Sequence, residues 1–264
     1  MKILRRLRAW GGKKIEVLLW HFLQGRVRRA AQEKAEAAAE HMRKDLELQM
    51  NFQPKLPAGW RERVKTGDNY VGFENLFRDS ATIAERNKRY LKFFQNKSPV
   101  LDVGCGRGEF LELLKQHHVA AQGIDSSPDM IQACRSRGLE NVERADANSH
   151  LSSLPKESLG GIFSCHVVEH MAVEGVIQFF PLAYAALQAE GILVVETPNP
   201  HSLPAFKLFW LDPTHVRPLF PEFLEWAARA GGFTEVDIMY LTEDGFSPTH
   251  SPWHGNYALI AKKR

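Results

Sequence analysis

At 264 residues the chain has room for one sizeable α/β domain and an appendage, and its 44% hydrophobic and 25% charged residues exclude disordered and collagen-like classes. A net charge of +3 argues against a generally basic, nucleic-acid-binding surface. The charge is uneven: Lys2, Arg5, Arg6, Arg8, Lys13, Lys14, Arg26, Arg28 and Arg29 face one acid, Glu16, in the first thirty residues, which leaves the remainder slightly acidic.

Residues 1–59 read as a basic, amphipathic helical arm in two pieces. The first carries Trp10, Trp20 and Phe22; the second, from 28 to 50, is built from good helix formers and ends at Pro54, Pro57 and Gly59. The run 15–23 follows positive charge as a signal peptide would, but it is short, holds Glu16 and His21 and lacks a small-residue cleavage site. A spanning helix needs about 20 apolar residues, so the run does not cross a bilayer. Three readings of the arm stay open: a solvated helix packed on its own domain, a helix that docks a protein partner, or an interfacial helix on anionic lipid. Cys105, Cys134 and Cys165 form neither a disulfide framework nor a CxxC motif, which suits a reducing compartment. The expected location is the cytoplasm, extending to the inner face of the membrane.

Residues 60–264 form the expected catalytic domain. A helical pattern over 60–96 buries Phe73, Leu76, Phe77, Ile83, Tyr90, Leu91, Phe93 and Phe94. Strands follow at 99–103, 120–125, 142–145, 161–165 and 191–196, separated by helices at 109–115, 128–137 and 173–187. A helix at 221–230, a strand at 234–241, a polar loop and a last strand at 257–261 complete the chain. Short apolar strands alternating with helices predict a doubly wound parallel sheet, Rossmann-like in plan.

The first strand runs into Asp102-Val103-Gly104-Cys105-Gly106-Arg107-Gly108. Glycines there let backbone approach a ligand closely. Asp125 ends the second strand, 21 residues after Gly104, where its carboxylate can accept both ribose hydroxyls of an adenosine cofactor. Asp146 ends the third strand and can receive the adenine amino group. Asp102 would repel a pyrophosphate but suits the ammonium or sulfonium of S-adenosylmethionine. The block 100–110 with Asp125 and Asp146 resembles class I S-adenosylmethionine-dependent methyltransferases over about 73–264. The resemblance implies a seven-stranded sheet ordered 3-2-1-4-5-7-6 with the last strand antiparallel. It also implies a cofactor-binding set of Arg78, Asp102, Gly104, Cys105, Gly106, Gly108, Asp125, Ser126, Met130, Asp146 and Ala147.

The fourth strand leads into Cys165-His166-Val167-Val168-Glu169-His170-Met171. If the segment turns helical, His166, Glu169 and His170 share one face at i, i+3 and i+4, near the transferable methyl group. The pattern resembles ubiquinone-pathway O-methyltransferases and small-RNA 2'-O-methyltransferases, whose Glu-x-x-Glu-His, with a later His, binds a divalent metal. The resemblance implies His166, Glu169, His170 and His215 as catalytic and metal-ligating candidates. His166 stands where those families have Glu, which shifts the choice toward Zn, Mn or Fe over Mg. A metal-free general base and purely structural histidines remain alternatives.

Residues 196–201 and 211–219, with 73–80 upstream, also resemble methyltransferases associated with bacterial surface-polysaccharide biosynthesis. That resemblance implies a glycan or lipid-linked saccharide as acceptor. Glu196 and Asn199 are candidates to orient a diol, and in the loop 242–256 Phe246, His250, Trp253 and His254 either stack on sugar rings or close the domain edge. A small-molecule or quinone-type O-methyltransferase and a cofactor-binding scaffold are the competing readings.

Overall fold

The computed structural model describes residues 80–243, 245–250 and 254–264, with scattered positions between 27 and 47. The chain divides into two units, Met1–Gln53 and Pro54–Arg264. In the first, the described positions are helical and exposed, with Glu40 placed for i+3 and i+4 ion pairs to Arg43 and Lys44. The other residues of the expected arm lie outside the described residues, as do Arg78 and Trp253. No helix among the described residues is long and apolar enough to cross a membrane.

Among the described residues, the second unit opens with helix α1 (Ser80–Asn87), a 3-10 turn (Lys88–Tyr90) and α2 (Leu91–Phe94). Five parallel strands follow, β1 (Val100–Val103), β2 (Ala121–Asp125), β3 (Val142–Arg144), β4 (Leu159–Cys165) and β5 (Leu187–Pro198). Between them run α3 (Glu109–Gln116), α4 (Pro128–Ser136), α5 (Ala147–Ser153) and α6 (Val173–Ala186). After β5 come α7 (Leu203–Phe209), α8 (Pro221–Ala230), β6 (Glu235–Thr242), β7 (Gly245–Ser247) and β8 (Asn256–Lys262). The sheet order is β3-β2-β1-β4-β5-β8-β6-β7, with β8 antiparallel to both β5 and β6. This is the expected seven-stranded order, extended by β7 as a hairpin partner of β6.

The central strands are buried up to the cavity, where Cys165 ends β4 partly exposed, because helices cover both faces. On one face Leu101, Val103, Ile162 and Val195 pack against Leu151, Val176, Phe180 and Leu224. On the other, Tyr90, Phe94, Phe110 and Phe163 form a ring cluster, with Phe110 and Phe163 centroids 4.0 Å apart. Each fully buried ring or branched side chain contributes about 1.5–3 kcal/mol. The strand order reverses at β1, which pairs in parallel with both β2 and β4, so a crevice opens at the carboxyl ends of these strands.

Candidate active site

A cavity of about 500 Å³ fills that crevice, walled by the turn after β1, the end of β2, the start of α5 and the turn after β4. Asp102, Gly104, Cys105, Gly106, Asp125, Ser126, Met130, Asp146 and Ala147 all line it. Gly108 instead sits at the head of α3.

Two glycines shape the turn. A Cβ on Gly104, at φ +70°, would lie 2.2 Å from Val167 Cγ2, so this residue lets the turn after β4 approach β1. A Cβ on Gly106, at φ +55°, would meet no protein atom within 4 Å and would project into open space. The Gly106 amide donates to Asp125 Oδ2 at 3.0 Å and the Ser127 amide to Oδ1 at 2.8 Å, which fixes the carboxylate on the cavity wall. Burial raises the Asp125 pKa, and these two amides pull against it. Asp146 does not end β3. It caps α5, with Oδ1 accepting from the Ser149 amide and hydroxyl, both at 2.9 Å, because β3 ends at Arg144 and Ala145 separates the two.

Asp102 is 2% exposed, and its Oδ2 has no hydrogen-bond partner. Burial, with Cys134, Glu109 and Asp125 nearby, pushes its pKa well above the usual carboxylate range. An orphaned acid in a glycine-walled cavity matches a cationic ligand that passes close to backbone. The cradle therefore fits S-adenosylmethionine. Helix α1 supplies two lining residues that the sequence reading missed, Arg86 and the buried Asn87, whose Oδ1 is also unpartnered. The available signal was spacing: with Ile83 and Tyr90 they occupy i, i+3, i+4 and i+7, which places polar groups on an otherwise buried stripe.

The second half of the site lies after β4. The segment does not continue as a helix: His166 adopts φ +59°, and only Val168–His170 form a 3-10 turn. That left-handed residue costs roughly 1–2 kcal/mol, offset by buried bonds on both ring nitrogens. His166 Nδ1 contacts Glu169 Oε1 at 2.9 Å, and Nε2 lies 3.1 Å from Asn256 Nδ2 and 3.3 Å from Glu196 Oε1. Glu196 also accepts from Tyr90 Oη at 2.5 Å and Asn256 Nδ2 at 2.6 Å, with Arg86 at 3.7 Å. Burial would raise the Glu196 pKa, but Arg86 and the hydrogen bonds from His166 and Tyr90 hold it far below the usual range. Glu196 and Asn199 are fully buried and do not line the cavity, so neither orients an acceptor; Asn199 instead bonds the His254 carbonyl and the His201 amide.

Glu169, His170 and His215 converge, with one ligand atom from each inside a 4.8 Å group, and His166 falls instead in a second such group with Cys165 and Glu196. Thr214 Oγ1 donates to Asp212 Oδ1 at 2.6 Å and so accepts from His170 Nδ1 at 2.9 Å, which puts the His170 lone pair on Nε2. His215 donates from Nδ1 to the Phe209 carbonyl at 2.6 Å, and its Nε2 is buried without a hydrogen-bond partner. Burial lowers the His170 pKa, and the Glu169 charge opposes it. For Glu169, burial raises the pKa, but the His166 hydrogen bond and the two imidazoles bring it below the ordinary value. An orphaned Nε2 facing a second imidazole and a carboxylate fits a divalent cation with mixed nitrogen and oxygen preference. Of the aromatic loop residues, Phe246 packs on Tyr90 and Phe93, and His250 and His254 pack on Tyr240. These contacts close the edge of the domain.

A family model described as a methyltransferase domain matches residues 75–238. A solved S-adenosylmethionine-dependent methyltransferase from Archaeoglobus fulgidus is 34% identical, with a TM-score of 0.66 over 74% of this chain and all of that one. An O-methyltransferase family protein from Burkholderia thailandensis, 12% identical with a TM-score of 0.54, shares the fold. Trans-aconitate 2-methyltransferase of Escherichia coli O157:H7 is 33% identical over 124 residues, 46% of this chain and 44% of that protein. The chain spans less than half the length of these curated relatives.

Proposed function

Because the chain belongs to the methyltransferase-domain family and uses S-adenosylmethionine, we propose that it methylates a hydroxyl oxygen, on a sugar of a bacterial polysaccharide or lipid-linked glycan. The observation that carries the reading is the His170 ring, which lines the cofactor cavity with Nε2 as its acceptor nitrogen and is held from behind by Thr214 and Asp212.

The sulfonium of the cofactor supplies an activated methyl group. Among the cavity-lining residues, Asp102 and Asn87 would hold its cationic amino-acid end and Asp125 the ribose, and the Gly106 backbone would leave room for it. An alcohol is a poor nucleophile at neutral pH, so transfer needs a proton acceptor. His170 takes the hydroxyl proton through Nε2 as the oxygen gains the methyl group and the methyl–sulfur bond breaks to release the neutral thioether, and Asp212 steadies the resulting imidazolium through Thr214. In a metal-bound alternative, Glu169, His170 and His215 would hold a divalent cation through that same Nε2, and its Lewis acidity would take the place of the imidazole base. The glycan rests on the sequence resemblance of 73–80, 196–201 and 211–219.

A second reading takes its support from the trans-aconitate relative: a carboxylate acceptor, drawn by Arg86 at the cavity wall. A carboxylate needs no base, so the two readings differ in their demand on His170. The test is to incubate the purified protein with labelled S-adenosylmethionine and separate glycan, quinone-precursor, dicarboxylate and RNA pools, with and without chelator. Label in glycan supports the proposal, and loss with chelator that metal restores assigns the cation. Label confined to another pool overturns the acceptor, and failure to bind S-adenosylmethionine overturns the enzyme.

A further inference from the structure

Seven of the ten exposed large hydrophobic side chains among the described residues fall within 203–220. A water-facing surface with that concentration marks a contact site. Helix α7 buries only Ala205 and Phe209, while Leu203, Phe206 and Leu208 face outward, and Trp210, Leu211 and Val216 continue the apolar surface along the return loop. At 1.5 Å per residue α7 is about 10 Å long, so it is a short ridge on the rim of the domain.

Charge selects the occupant. The segment holds three charged residues: Lys207 and Arg217 are exposed, whereas Asp212 is turned inward, its carboxylate bonded to the Thr214 amide at 2.9 Å and to the Thr214 hydroxyl. Aromatic and branched side chains flanked by outward cations, with the acid withdrawn, suit an interface of acyl chains and anionic headgroups. We propose that α7 and its return loop, residues 203–217, dock the protein on an anionic lipid bilayer.

The ridge is joined directly to the candidate catalytic turn. The Phe209 ring stacks on His215 at 4.2 Å, its carbonyl accepts from His215 Nδ1, and the Val216 amide donates to the Glu169 carbonyl at 2.9 Å. Docking through this surface sets the acceptor side of the cavity against the bilayer, where a hydroxyl on a lipid-anchored molecule reaches His170 without leaving the membrane. The docking is independent of acceptor chemistry, because it is read by lipid binding alone.

The test is flotation of the full chain with vesicles of phosphatidylglycerol and phosphatidylcholine, against phosphatidylcholine alone. Binding to the anionic vesicles is expected, and Trp210→Asp with Leu211→Asp should lower the partition coefficient about tenfold or more while S-adenosylmethionine affinity is kept. Brominated lipid should quench part of the wild-type tryptophan emission, and Trp210→Phe, which keeps lipid binding, should lose that part. Unchanged partitioning in the double variant overturns the proposal, since binding would then reside elsewhere, for example in the basic arm. So does an absence of binding, equal quenching in Trp210→Phe, or self-association that the double variant abolishes, which would mean that a second copy covers the ridge.

Discussion

Thr214 Oγ1 sits 2.9 Å from His170 Nδ1 and hands its own proton to Asp212 Oδ1, so one hydroxyl fixes both the tautomer and the orientation of the ring. Removing the ring should cost far more in turnover than in binding. His170→Ala is expected to lower kcat by about 10²–10⁴, with S-adenosylmethionine affinity by calorimetry as in the wild type. Full activity in this variant would point to the carboxylate reading.

Thr214→Val keeps the shape of the side chain and removes the relay. The His170 tautomer is then no longer imposed, and kcat should fall about tenfold, the equivalent of one hydrogen bond of roughly 1–1.5 kcal/mol. Thermal stability should stay within about 1 kcal/mol, because Thr214 is exposed. Steady-state kinetics beside a melting curve separates the two effects; a large drop in Tm with normal kcat would make Thr214 structural only.

The two loop glycines should fail in different ways. Gly104→Ala drives a methyl group to 2.2 Å from Val167 Cγ2 at a left-handed φ, so the apo protein itself should be destabilised. Gly106→Ala meets no protein atom and bears only the left-handed penalty of about 1–2 kcal/mol. It should fold and yet bind S-adenosylmethionine much more weakly, because the new methyl occupies cofactor space. Melting curves of both proteins with and without S-adenosylmethionine check this. A strong thermal shift on cofactor addition to Gly106→Ala would contradict the assignment of that space.

Much of this plan could be read from the residues, because strand, turn and acid recur where a parallel sheet needs them. What escaped the reading has identifiable causes. Helix α5 is built from Asn, Ser and His, which are weak helix formers, and it depends on the Asp146 cap and on burial of His150 and Leu151. Helix α7 did carry a start signal, Ser202 as cap with Pro204 in the first turn, but it is only seven residues long. The left-handed His166 follows from Glu196, thirty residues away in sequence, and no local pattern encodes such a partner. Arg86 likewise acquires its place from a strand it does not adjoin in sequence.

Glu196 is the hub of that long-range set, and removing it should unfold the protein more readily. Glu196→Ala leaves Arg86, Tyr90 and Asn256 without their shared acceptor, at a cost of about 3–5 kcal/mol. The pH dependence should change with it. The folded pKa of Glu196 lies below its ordinary 4.5, so the unfolded chain binds the proton more readily. Its stabilisation is therefore complete above 4.5 and is lost as pH falls toward the folded value. The difference in unfolding free energy between wild type and Glu196→Ala should shrink as pH is lowered below 4.5. A constant difference over that range would show that the carboxylate charge is not what holds the set together.

Asp102 has the opposite sign and links the fold to the cofactor. Its folded pKa is raised, first by burial and then by Cys134, Glu109 and Asp125, so the empty protein favours the protonated acid. Apo stability should fall as pH rises through that folded value, and Asp102→Asn, which cannot ionise, should melt higher than wild type above it. Cofactor binding reverses the preference, because an ammonium or sulfonium stabilises the ionised form. S-adenosylmethionine affinity should then strengthen with pH over the range in which Asp102 ionises. In Asp102→Asn it should be about 10–100-fold weaker, the loss of one charge-assisted interaction of roughly 1.5–3 kcal/mol, and the Asp102-dependent rise with pH should vanish. Calorimetric titration of both proteins across pH measures this, and parallel curves would remove Asp102 from the cationic end of the cofactor. A variant that is more stable empty and weaker in binding is the signature of an acid kept in an apolar cavity for its ligand.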